Sequence, residues 1–89
     1  MCCNSTLLVV KPGDEMTETE TSSFIEAMGK EGLAHAFTSG NEMVFAGEVF
    51  APEDSAVISI LNKCRADKPM SGIYQFGNEG ASTFELATA

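Results

Sequence analysis

The chain has 89 residues, 44% of them hydrophobic, with 13 Asp and Glu against 5 Lys and Arg and a net charge of −8. A chain of this length folds around one core and buries about 60–65% of the surface its unfolded form exposes, so residues 1–89 read as a single compact domain, too apolar for intrinsic disorder. The negative balance repels nucleic acid and anionic membrane surfaces at long range, which leaves basic or apolar surfaces as the natural partners.

The opening "MCCNSTLLVV" has no basic leader, and its apolar run stops at Lys11-Pro12, so neither a signal peptide nor a membrane span is expected. Cys2, Cys3 and Cys64 form no CxxC pair and no Cys/His cluster of zinc spacing. A reducing, cytoplasmic home fits them. The run "STLLVVK" reads as the first strand, ended by Pro12-Gly13, and its unbroken apolar character places it in the middle of a sheet.

The stretch "KPGDEMTETETSS" follows, with acids at Asp14, Glu15, Glu18 and Glu20. Both Thr17-Glu18-Thr19-Glu20 and Ser23-Phe24-Ile25-Glu26 carry the capping-box pattern, and Phe24, Ile25 and Met28 recur at helical spacing. A helix is therefore predicted from 18 or 23 to 31, with Gly32 as its stop. "LAHAFTS" and "EMVFAGEVF" flank Gly40-Asn41 and read as a hairpin. In its second arm Met43, Phe45 and Val49 share one face, Val44, Ala46, Glu48 and Phe50 share the other, and Gly47 marks a bulge. Both faces are partly apolar, so one is free to meet a partner.

"APEDSAVISILNKCRADKP" gives the clearest helix: Pro52 suits its first position, Glu53 and Asp54 its positive end, Lys63, Arg65 and Lys68 its negative end, and Pro69 stops it. Val57, Ile58, Leu61 and Cys64 make the apolar stripe, with Ile60 at its margin. "SGIYQF" and "STFELAT" around Gly77-Asn78-Glu79-Gly80 read as a second hairpin, with Tyr74 and Phe76 opposite Phe84 and Leu86. The order β-α-β-β-α-β-β predicts an α+β domain of ferredoxin-like, split βαβ type, an antiparallel sheet with two helices on one face and an extra C-terminal strand.

Such a fold hosts many functions, so function has to come from residues. His35 is the lone histidine and sits in an alternating strand, where a half-buried position fits better than a general base. No Ser or Cys lies in a nucleophile motif, no D-x-D-x-D-G loop binds calcium, and "FGNEGAS" sets an acid where a phosphate cradle needs none. The reading is a non-enzymatic chain with no metal and no cofactor.

Binding by surface remains. Asp14, Glu15, Glu18, Glu20 and Glu26, with Glu53 and Asp54 at the start of the second helix, are predicted to give the helical layer a negative face. The structural alternative is a solubilising face. The functional expectation is an acidic plug for a basic surface of a host nucleic-acid-handling protein, with no direct contact to nucleic acid or membrane. Small phage or mobile-element inhibitors of nucleases and defence complexes, the anti-CRISPR and anti-restriction class, are of this general type. A second expectation is a ferredoxin-like dimer, a small-molecule binder or small enzyme, with an apolar pocket between sheets beside His35, Phe37, Phe45 and Tyr74. The chain is a monomer or a homodimer accordingly.

Overall fold

Alternation in the first strand sets the layers. The computed structural model of the chain describes residues 5–48, 55–66, 68–76 and 80–87. In β1 (Ser5–Pro12), Thr6, Leu8 and Val10 are buried, while Leu7 and Lys11 are exposed and Val9 is half-buried. The run is apolar on both sides, yet only one side enters the core.

The remaining elements are α1 (Glu18–Lys30), β2 (Leu33–Ser39), β3 (Glu42–Glu48), α2 (Ser55–Cys64), β4 (Met70–Phe76) and β5 (Ser82–Leu86). The five strands make one antiparallel sheet in the order β2-β3-β1-β4-β5, and β1 lies in its middle as its composition predicts. With its two helices the chain is an α+β fold.

The start of α1 resolves the choice between Thr17 and Ser23. Glu20 N–H donates to Thr17 Oγ1 at 3.1 Å and Thr17 N–H donates to Glu20 Oε1 at 2.9 Å, a reciprocal capping box. Glu18 and Glu20 therefore occupy the first turn, where the exposed N–H groups and the helix dipole favour acids. At the other end Gly32 takes φ +99°, a left-handed conformation that costs glycine little, and its N–H donates to the Gly29 carbonyl at 3.1 Å.

In α2, Val57, Ile60 and Leu61 are buried, while Ile58 and Cys64 are partly buried against the core. The stripe is centred on i, i+3 and i+4, one position round from the expected one, and Ile60 replaces Ile58 at its middle. The expected start at Pro52, Glu53 and Asp54 lies outside the described residues, as do Val49, Phe50, Cys2, Cys3 and the turn Gly77-Asn78-Glu79.

Phe24 and Met28 of α1 and Val57, Ile60 and Leu61 of α2 join Leu8, Val10, Leu33, Met43, Phe45, Met70 and Tyr74 of the sheet in one core cluster. Both helices thus pack on the same side of the sheet. Phe45 lies at the centre, fully buried, with the Phe24 ring edge-on at 5.6 Å.

Two registers differ from expectation. Gly47 is not a bulge: it pairs regularly with Thr6 and with Leu33. The irregularity falls in β2 instead, where His35 pairs with Phe45 and Phe37 with Val44, leaving Ala36 as the extra residue. In the second hairpin Phe84 lies opposite Gly72, and Leu86 opposite Met70, rather than opposite Tyr74 and Phe76. Gly72 permits this close packing, since a Cβ there would stand 1.9 Å from the Val9 carbonyl oxygen and 3.3 Å from the Phe84 ring. The Phe84 ring then reaches Tyr74 on the diagonal, with centroids 6.2 Å apart.

Leu61 is fully buried whereas the Lys63 side chain is 67% exposed. Leu61→Ala should therefore cost about 2–5 kcal/mol in denaturant unfolding, and Lys63→Ala less than about 1 kcal/mol. Thr6 is buried, and its hydroxyl has no hydrogen-bond partner among the described residues. Thr6→Val keeps the shape and removes the stranded polar atom, so it should raise stability by about 1 kcal/mol in the same assay.

Candidate functional site

The acids of the quoted stretch do not act as a unit. Glu20 is committed twice: Oε1 accepts from the Thr17 N–H, and Oε2 lies 2.9 Å from Lys68 Nζ. The Thr17 backbone bond and then the Lys68 bond hold its carboxyl down at about 2, and the same contact raises Lys68 above its ordinary value. Glu20 is thus a structural tie between α1 and the segment leading into β4. Glu26 pairs loosely with Lys30 one turn on, at 3.5 Å with both side chains about three-quarters exposed.

Asp14, Glu15 and Glu18 are exposed and form no ion pair among the described residues, although Asp14 adds to the field at Lys68. Asp14 and Glu15 line a hollow beside the turn at Gly40 and Asn41, so the acidic loop and the tip of the first hairpin meet at one end of the sheet. Glu53 and Asp54 are outside the described residues. Of the five expected acids among the described residues, Asp14, Glu15 and Glu18 form no ion pair there.

The sheet face opposite the helices was legible only in part. Along β1 it carries Leu7, Val9 and Lys11. Val9 pairs with Val44 on one side and Ile73 on the other, and Val44 pairs with Phe37, so an apolar row crosses four strands. At about 4.8 Å per strand the row is roughly 14 Å wide. Leu7 lies next to it, between Ala46 and Gln75, with Ala34 beyond Ala46.

Phe37 is 56% exposed, Leu7 47% and Ile73 46%, the three large hydrophobic residues left exposed among the described residues. Glu85 pairs with Ser71, which pairs with Lys11, and Glu42 precedes the buried Met43. Strand alternation therefore sets Glu42, Lys11 and Glu85 on this same face, at the end nearest Asp14 and Glu15.

The bulge at Ala36 is what turns Phe37 out. In a regular strand Leu33, His35 and Phe37 would share one side. With one extra residue between His35 and Phe37, Leu33 and His35 keep to the helical side and Phe37 moves to the open one. The expected pocket beside His35, Phe37, Phe45 and Tyr74 is corrected accordingly: Phe45 and Tyr74 are buried under the helices, and Phe37 lies on the opposite surface. His35 is half-buried, with Nε2 2.7 Å from Thr38 Oγ1 and its ring edge-on to Phe45 at 5.5 Å. Those contacts satisfy it as a structural residue.

Among the described residues no three His, Cys, Asp or Glu side chains gather closely enough to hold a metal ion, and no helix is long and apolar enough to cross a membrane. No protein-family model matches the chain, and neither a curated protein nor a solved structure was found to be similar to it.

The tie at Glu20 has a pH signature. Its carboxyl titrates near 4.5 when free and near 2 when folded, so its stabilising contribution is complete above about 4.5 and disappears as the pH falls towards 2. Glu20→Gln keeps a side chain able to cap but loses the ion pair. Its melting temperature should lie below that of the wild type at neutral pH, and the gap should close as the pH falls from 4.5 to 2 in circular-dichroism melts.

Proposed function

We propose that the chain is a non-enzymatic protein-binding module of ferredoxin-like topology, which docks through its open sheet face. The sheet order β2-β3-β1-β4, with one helix after β1 and one after β3, supports the split βαβ reading, with β5 added beside β4. The observation that carries the functional reading is the row Phe37, Val44, Val9 and Ile73, with Leu7 beside it, left on the surface of a sheet whose other side already supports both helices.

A continuous apolar patch on a small acidic domain is what a partner can desolvate, at about 25 cal/mol for each Å² buried. Exposed aromatic and aliphatic anchors at the centre with charges at the edge match the anatomy of a protein interface. Here the edge is acidic on balance: Glu42 and Glu85 with Lys11 on the face, and Asp14 and Glu15 beyond its end. The matching partner is apolar at its centre and basic at its side.

A nucleic-acid-handling protein of the host offers such a surface, and obstruction of its basic groove makes the chain an inhibitor of the anti-CRISPR or anti-restriction kind. The charges then steer encounter and the sheet face holds the complex. The same face is also able to pair with a second copy about a two-fold axis, which is the second reading.

Ile73→Glu places a charge at the β4 end of the row, beside Val9, at an exposed position. It should leave the melting temperature within a few degrees of the wild type and weaken partner binding at least about tenfold by calorimetry. The triple variant Asp14→Asn, Glu15→Gln and Glu18→Gln should weaken binding less and flatten its dependence on salt. Full affinity in both variants would exclude this face. A wild-type dimer in light scattering that Ile73→Glu turns into a monomer would select the second reading.

A further inference from the structure

On the helical side, remote from the open sheet face, a cleft of about 340 Å³ lies between α1 and the C-terminal end of α2. Its apolar lining is Met16, Phe24, Ala27 and Cys64. Lys63, Arg65 and Lys68 stand around it, three of the five basic residues of the chain, against Glu20 as the one acid of the lining among the described residues. In a chain of net charge −8 the described lining of this hollow carries more cations than acids.

The cations differ in freedom. Arg65 is fixed: Nε donates to Asn62 Oδ1 at 2.8 Å, and Nη1 donates to the carbonyls of Lys68 at 2.8 Å and Ala87 at 3.0 Å. Those bonds leave Nη2 unengaged among the described residues. The next residue, Ala66, is held at φ +49°, a left-handed conformation unfavourable to any residue with a Cβ. The backbone bonds from Arg65 N–H to Leu61 and from Lys68 N–H to Arg65, both 2.9 Å, keep this turn closed around the rim. Lys68 engages Glu20 and has further ammonium hydrogens to donate. Lys63 touches Glu31 only at 3.5 Å and is mostly exposed, so it is free to swing over the mouth.

We propose that this cleft binds a small amphipathic anion, a medium-chain carboxylate whose tail lies along Met16, Phe24 and Ala27 and whose head meets Lys63, Arg65 and Lys68. The volume is within the range of small-molecule sites, with an apolar body and a few convergent polar groups. Charge-assisted bonds from guanidinium and ammonium groups recognise the head. This site is independent of the sheet face and of any protein partner.

The test is an amide-resolved NMR titration of the whole chain with octanoate, octanol and octylammonium. Octanoate should shift residues of α1 from 19 to 27 and residues 63–68, and should bind about tenfold tighter than octanol, the difference that the charge-assisted bonds supply. Lys63→Gln, at an exposed position, should weaken octanoate about two- to fivefold and leave octanol unchanged. Ala27→Met should fill the floor and remove both ligands. Equal affinity for octanoate and octanol, tightest binding of octylammonium, absence of these shifts at millimolar octanoate, or shifts confined to Leu7, Phe37 and Ile73 would each overturn the proposal.

Discussion

The side-chain alternation of β1 is the constraint on which every layer rests. Leu8 and Val10, fully buried at the middle of the sheet, are the floor against which Phe24, Met28, Val57 and Leu61 close the core. Their neighbours Leu7 and Val9 cannot enter that core, because successive side chains of a strand leave on opposite sides. With both helices on one side, no other described element covers the apolar residues of the other side. The core and the exposed row are two consequences of the same strand.

Charge is organised by a different rule. Acids that meet backbone donors are used for structure, and acids that do not are left to solvent. Glu20 caps α1 and anchors Lys68, so the helix start and the entry to β4 are tied through one carboxylate. Lys68 N–H and Arg65 then complete the turn that carries the basic rim of the cleft. Asp14, Glu15 and Glu18 lie within six residues of Glu20 and form no ion pair among the described residues. A stretch rich in acids in sequence divides in space into a carboxylate tied to backbone and Lys68 and carboxylates without an ion pair among the described residues.

The two surfaces that result have opposite characters. The open sheet face is broad and apolar, with Glu42, Lys11 and Glu85 at one end. The cleft under α1 is narrow, with an apolar lining and cations at its mouth, suited to a small anion. They lie on opposite sides of the sheet, so occupation of one leaves the other accessible.

Element types were legible in the sequence because they depend on neighbours along the chain. Period-two and helical spacing marked the strands and helices, Gly32 stopped α1, and the unbroken run of β1 put it in the middle of the sheet. The capping box at Thr17 was legible too, though only as one of two equal candidates; Lys68, distant in sequence, supplies the ion pair that reinforces Glu20 there. What the chain pattern left open was decided by contacts between distant segments. The extra residue at Ala36 reversed the side on which Phe37 lies, and Gly72 set Phe84 opposite itself rather than opposite Tyr74. Residue spacing determines which side chains share a face only while the register is regular. A single inserted residue exchanges the faces, and the pairing that absorbs it exists only once the strands have met.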